Sequence, residues 1–225
     1  MEVNISNVGQ NLYSSFKPAS CFPDCWCEMP RYGQLILEPG NFWSNLAFIF
    51  CAGILWFYFK HIPHRRLTSI CFAAIGIGSM AFHGTQTFIG QTLDVFCMYM
   101  LVSLFIFQLW RVHFKYKYYF LLNSVLLLTL YFAPELRRFI FFFLVLVLVG
   151  VSIKKLRFNK YLMGSIGSMV VAQIIWNLDR LKIVCSPQNF ITGHFFWHIL
   201  SALSAFLFVC SLNKSKYWKL DISSK

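Results

Sequence analysis

RRFIFFFLVLVLVG, residues 137–150, carries no polar side chain after its second arginine. A helix that is apolar all round belongs in a protein core or in a bilayer. The composition of the whole chain decides for the bilayer. Of the 225 residues 58% are hydrophobic and 19% aromatic, while only 12% are charged; a soluble domain carries about 25% charged residues. Outward from 137–150, apolar runs recur at roughly the 20 residues needed to cross a hydrocarbon core. They fall near 42–59, 67–84, 88–110, 118–133, 138–153, 161–179 and 193–212. The expected fold is all-α, a seven-transmembrane helix bundle in the membrane bilayer. Short connections make successive helices the expected antiparallel neighbours, and the run around 137–150 is expected to face lipid. Residues 1–41 then form an N-terminal segment outside the bilayer, 42–212 the helical domain and 213–225 a basic tail. The opening MEVNISNVGQ is polar and does not read as a secretory signal peptide.

A net charge of +12 would suit nucleic acid or anionic lipid if it formed one patch. Its distribution speaks for topology instead, and no nucleic-acid partner is expected. Lys60, Arg65 and Arg66, then Arg111, Lys115 and Lys117, then Lys154, Lys155, Arg157 and Lys160, then Lys214, Lys216, Lys219 and Lys225 fall in segments on one side. The other side keeps Lys17, Arg31, Arg137, Arg138, Arg180 and Lys182, and most of the acids, with Glu2 among them and Asp221 the exception. Basic loops stay in the cytoplasm, so the C-terminus is expected there and the N-terminus outside. Cys51, Cys71, Cys97 and Cys210 fall within spans. Cys21, Cys25, Cys27 and Cys185 fall on the outer side, where disulfides persist. Four cysteines allow three pairings, and the spacing does not choose.

Ionisable side chains inside a span are costly and so mark function. In GIGSMAFHGT the second span ends with Ser79 and His83, four residues apart and on one helix face. The third span returns through QTLDVFCMY with Asp94 near its outer end. A turn near residue 88 puts His83 and Asp94 at matching depth, roughly 8 Å below it at ~1.5 Å per residue. The last span opens GHFFWHIL, so His194 and His198 enter at the same level on one face. His61, His64 and His113 lie in the basic loops. Three imidazoles with an open position make up the composition of a catalytic zinc site. Asp94 there can orient a histidine or take a proton, and Ser79 can steady an oxyanion. Read singly, each of these groups can also be a structural polar residue: a histidine satisfied by a backbone carbonyl, or a serine bonded to its own helix.

The segments GSMAFHGT, LDVFCMY and GHFFWHIL together resemble the signatures of the alkaline ceramidase family, within a larger group of seven-span hydrolases and receptors. The N-terminal CEMPRYGQLILEPGNFWSNLAF is also similar to that family, particularly to its compact bacterial members. The resemblance covers roughly residues 24 to 205. It implies zinc on His83, His194 and His198, Asp94 as catalytic acid/base, Ser79 as oxyanion support, and a lipid substrate. The implied reaction is hydrolysis of the amide of ceramide or a related N-acyl lipid to a fatty acid and a sphingoid base. A lipid-sensing receptor of the same superfamily and a lipid-ester hydrolase are the competing readings.

The family's eukaryotic members also hold calcium on an Asp-Trp-x-Glu-x-Asn motif and a later glutamate. The resemblance maps this set onto Asp24, Glu28 and Glu38, with Cys25 standing where the aspartate before Trp26 would be and Pro30 in place of the asparagine. Taken alone, the same acids serve equally as a helix cap and solvated charges. The resemblance further favours a Cys27–Cys185 disulfide, against a pairing such as Cys21 with Cys25. It also suggests Trp176, Asp179 and Trp197 as walls of a substrate pocket.

Overall fold

A computed structural model describes residues 11–59, 62, 64–110, 116–156 and 158–214. Of the basic residues used to orient the chain, Lys60, Arg111, Lys115, Arg157, Lys216, Lys219 and Lys225 lie outside these, as do Glu2, His61, His113, Asp221 and most of the 213–225 tail. The regular structure is helical: α1 (Pro39–Ser44), α2 (Leu46–Tyr58), α3 (Arg65–Thr85), α4 (Phe88–Trp110), α5 (Tyr116–Phe132), a single 3-10 turn at Pro134–Leu136, α6 (Arg137–Leu156), α7 (Lys160–Arg180) and α8 (Gly193–Lys214). Among the described residues, six stretches are long and apolar enough to cross a membrane: Pro39–Tyr58, α3, α4, Pro134–Leu156, α7 and α8. This is the build of a multi-pass membrane protein. The remaining helix, α5, has 17 residues, the lower edge of the ~17–25 that span a bilayer.

Local chemistry sets the boundaries. Pro39 opens α1 at a position where a missing N–H costs nothing. Asn45 separates α1 from α2, so the expected first span is two helices in series. Pro134 closes α5 and starts the turn that leads into α6. Asn159 caps α7, its side-chain oxygen accepting from the N–H groups of Tyr161 and Leu162. Gln86, in the left-handed region at φ 52°, ends α3 and leaves only Thr87 before α4.

The order of packing departs from the chain order. α7 lies against α8, α3 against α4 and α2 against α3, while α1 and α2 each touch both α3 and α8. The expected pairing of successive helices holds for α4 with α5 and for α7 with α8 but not around α6, which packs on α4 rather than chiefly on its chain neighbours. The reason is apolar area: α4 offers Tyr99 and Ile106, to which α5 adds Leu126 and Leu130 and α6 adds Leu144 in one cluster. Phe139, Phe142, Phe143 and Leu146 of α6 stay exposed, as expected for a lipid-facing helix. A larger core of Leu55, Phe72, Leu104, Phe208 and Leu212 joins α2, α3, α4 and α8. It fills the half of the bundle away from the C-terminal end of α3 and the N-terminal end of α8. The polar groups collect at that opposite end.

Candidate functional site

The N-terminal segment covers this polar end. Leu37 and Glu38 donate their backbone N–H groups to the carbonyls of Gly84 and His83, closing the end of α3. Ala19 donates to Gln86, and Phe88 donates to Lys17. Two disulfides hold the segment, Cys21–Cys25 and Cys27–Cys185. The second is the pair that the family resemblance favours, and it coexists with the Cys21–Cys25 alternative. Cys51, Cys71, Cys97 and Cys210 are free.

His83, His194 and His198 are buried and come together, with one ligand atom from each lying within 4.8 Å of the others. Nε2 of His83 stands 3.3 Å from Nε2 of His194. Two lone-pair nitrogens that close have no proton to share if each ring carries its hydrogen on Nδ1. The hydrogen bonds place it there for two of the rings. His83 Nδ1 lies 2.6 Å from Oε2 of Glu38, which accepts its proton when the carboxyl is ionised. His198 Nδ1 donates to Oγ of Ser44 at 2.7 Å, and Ser44 passes its own proton to the Asn41 carbonyl at 2.9 Å. Both Nε2 atoms are thus left as acceptors facing the centre. A tetrahedral zinc, with Zn–N about 2.0–2.1 Å, sets its nitrogen ligands about 3.3 Å apart. The donor set and its spacing fit such an ion, and a carboxylate behind a ligating histidine is the usual outer partner.

His194 is held differently. Its Nδ1 is buried without a hydrogen-bond partner, but its ring is stacked under Trp26, with centroids 3.7 Å apart and planes 12° from parallel. Its backbone N–H donates to Oδ2 of Asp179 at 2.9 Å, while Oδ1 of Asp179 accepts from the N–H of Cys27 at 3.0 Å. One fully buried carboxylate therefore caps the start of α8 and anchors the segment that carries Trp26. The contact is tight: a Cβ on Gly193 would meet the Asp179 Cβ at 2.8 Å, so only glycine lets α8 begin this close to α7.

Ser79 and Asp94 complete the cluster. The Ser79 hydroxyl lies 3.5 Å from Nε2 of His198 and beside the Asp94 carboxyl group. Ser79 is buried, whereas Asp94 keeps partial exposure. The α3–α4 contact that makes this possible runs through Gly78, where a Cβ would press at 3.2 Å on the backbone of Leu93. Small residues let membrane helices approach to this distance.

The remaining expected residues are placed as follows. Asp24, Glu28 and Glu38 do not form one ligand set. Asp24 is exposed and pairs with Lys182. Glu28 is buried and accepts from the N–H groups of Gly40 and Asn41, both at 2.8 Å, which makes it the cap of α1. Burial pushes its carboxyl up to about 7, against the lowering effect of those two bonds. Glu38 is taken up by His83 and by Asn41 Nδ2 at 3.2 Å. Among the described residues, the three histidines are the group of three or more such ligands close enough to hold a metal. Asp179 acts as a clamp, its two oxygens spent on backbone N–H groups at zero exposure. Trp176 stands 5.8 Å from Trp26 and 6.0 Å from Trp197, extending the aromatic surface beside His194. Sequence reasoning missed the supports Ser44 and Asn41 and the stack of Trp26. The available signal was the Ser44-Asn45-Leu46 triplet, which carried a resemblance but no role.

A helical membrane bundle with a buried three-histidine group, a serine and an aspartate at one end is thus on hand. The ceramidase family model matches residues 24–223, and the chain belongs to that family. It is similar to alkaline ceramidase 1 of Mus musculus, 33% identical over 75 residues, which is 31% of this chain and 28% of that protein. It is also similar to alkaline ceramidase 1 of Homo sapiens, 38% identical over 77 residues, again 31% of this chain and 28% of the relative. The matched stretch spans little more than a quarter of each of these curated relatives.

Proposed function

We propose that this protein is an integral-membrane, zinc-dependent amidohydrolase that cleaves the amide of ceramide or a related N-acyl lipid. One observation carries the reading: in a ceramidase-family chain, three buried histidines present ligand atoms within 4.8 Å of one another. His83, His194 and His198 would hold the zinc, which when bound supplies Lewis acidity that polarises a carbonyl and acidifies water. Glu38 and Ser44 keep the protons of His83 and His198 on Nδ1, so that Nε2 stays a donor of electrons. Asp94 takes a proton at its carboxylate from the attacking water and returns it to the leaving nitrogen, freeing the amine. Ser79, whose hydroxyl stands 3.5 Å from Nε2 of His198, turns that hydroxyl toward the carbonyl oxygen as negative charge develops there. Trp26 covers His194 and keeps bulk water from that side.

Counting α5 gives seven spans, with 42–212 as the catalytic helical domain. The N-terminal segment carries both disulfides, which persist outside the cytoplasm, so the site lies near the extracytoplasmic face and the C-terminus inside. The test is metal analysis and product analysis of the detergent-purified protein. About one zinc per chain, with release of sphingoid base and fatty acid from ceramide, is expected. Active protein free of zinc would refute the metal role, and zinc-loaded protein that turns over esters but no amide would refute the reaction.

A further inference from the structure

A histidine that ligates a metal needs its ring aimed, and two of the three have a polar group behind them to do it. Glu38 stands 2.6 Å from Nδ1 of His83, and Ser44 stands 2.7 Å from Nδ1 of His198. Nδ1 of His194 is buried and has no such partner among the described residues. Its Nε2 nevertheless stands 3.3 Å from Nε2 of His83. An imidazole without an outer hydrogen bond is free to turn unless something packs against its face. Trp26 supplies that packing, with ring centroids 3.7 Å apart and planes 12° from parallel. Its contacts with His83 and Trp176 are of another kind, at 6.3 and 5.8 Å and tilted by 49° and 60°. The indole is laid flat on His194.

The indole is placed by the chain on either side of it and not by its own polar group. Nε1 of Trp26 is buried without a hydrogen-bond partner. Cys25 before it is bonded to Cys21, and Cys27 after it is bonded to Cys185. The loop closed by Cys21 and Cys25 is seated on the α3–α4 turn. Ala19 donates its N–H to the Gln86 carbonyl at 2.9 Å, Ser20 donates its N–H to Oε1 of Gln91 at 3.1 Å, and Cys25 packs in a cluster with Phe82. On the other side, Cys27 donates its N–H to one oxygen of Asp179, and the second oxygen accepts from the N–H of His194. One carboxylate thus holds the backbone of His194 in register with the residue that follows Trp26.

We infer that Trp26 is a positioning residue for His194. Its indole, held flat between the Cys21–Cys25 and Cys27–Cys185 crosslinks, fixes the imidazole with Nε2 toward the other two histidines. Stacking does for His194 what Glu38 and Ser44 do for His83 and His198. This role rests on the zinc reading of the histidine group. It makes zinc retention depend on two disulfides that contribute no ligand.

The test compares full-length wild type, Trp26→Leu and Trp26→Phe, with zinc affinity read by competition against a chromogenic chelator. Trp26→Leu keeps apolar bulk without a flat face, and its zinc is expected to bind about 10–100-fold more weakly, the range for loss of an outer partner of a ligating histidine. Trp26→Phe restores a flat ring and is expected to recover most of that loss. In the cobalt-substituted proteins the visible ligand-field bands should shift in Trp26→Leu and return in Trp26→Phe. Melting of the metal-free proteins reports folding separately. Cys21→Ser with Cys25→Ser leaves the indole in place and removes one of its crosslinks, so it carries the test even where Trp26→Leu does not fold. This serine pair is expected to weaken zinc in the wild-type background and to add little in the Trp26→Leu background. Zinc held as tightly by Trp26→Leu as by wild type, equal losses in the Leu and Phe variants, or no loss in the serine pair would each overturn the positioning role and leave the zinc reading intact. Wild-type protein that takes up no zinc would overturn that reading and this role with it.

Discussion

α3 and α6 are both long, apolar and capable of crossing a membrane, yet they are built for opposite surroundings. In α3, 61% of the most hydropathic window is buried in the bundle; in the Pro134–Leu156 stretch of α6 it is 17%. α3 carries Ser79 and His83 and the glycines that let α4 and α2 close in on them. α6 carries phenylalanines and valines that need no partner but lipid. Hydropathy grades α6 as the better membrane helix. The less hydropathic helix holds the chemistry because polar side chains in a bilayer need a bundle around them to satisfy their hydrogen bonds.

That contrast can be broken from the α3 side with large effects. Replacing His83, His194 or His198 by Ala should abolish zinc binding and turnover together, read by metal analysis and by product formation. Asp94→Asn should retain zinc while kcat falls by about 10²–10⁴. Loss of zinc in Asp94→Asn would place the aspartate among the ligands instead. Glu38→Gln should weaken zinc about 10–100-fold in a chelator competition, since the outer partner of His83 is altered but not removed.

How much of this was legible follows from what the chain encodes locally. Helix limits were readable because hydropathy has a period and a length. The convergence of His83, His194 and His198 was readable because the spans that carry them end at one depth on the same side of the bundle. Glu38, Ser44, Asn41, Trp26 and Asp179 were not readable as supports. Glu38 meets its histidine 45 residues on, Ser44 meets its own 154 residues on and Asp179 holds Cys27 152 residues back, and no spacing announces such a partner. Asp179 read only as a suggested pocket wall, and its two backbone hydrogen bonds reveal a clamp.

Smaller effects sharpen the comparison. Cys185→Ser should lower the stability of the purified protein by about 2–5 kcal/mol, seen as a lower melting temperature, and should loosen zinc through Cys27, Asp179 and His194. Glu28 gives a pH signature. Its folded-state value of about 7 lies above the ordinary 4.5, so its contribution to stability is full below about pH 4.5 and is lost as pH rises through about 7. Melting temperature should therefore decline between pH 5 and 8, and Glu28→Gln should flatten that decline. On the α6 side, Phe142→Leu should change stability by less than about 0.5 kcal/mol, because the ring is exposed from the bundle.

The Cys27–Cys185 bond joins positions 158 residues apart. During synthesis from the N-terminus, Cys27 must wait for 158 further residues before its partner exists. The residues that cover the histidines are made before the histidines themselves and are fastened only after α7 is complete. A nascent chain stalled before Cys185 has neither two of its three histidines nor the clasp that fastens the N-terminal segment over them, so such a copy is also a chemically silent one.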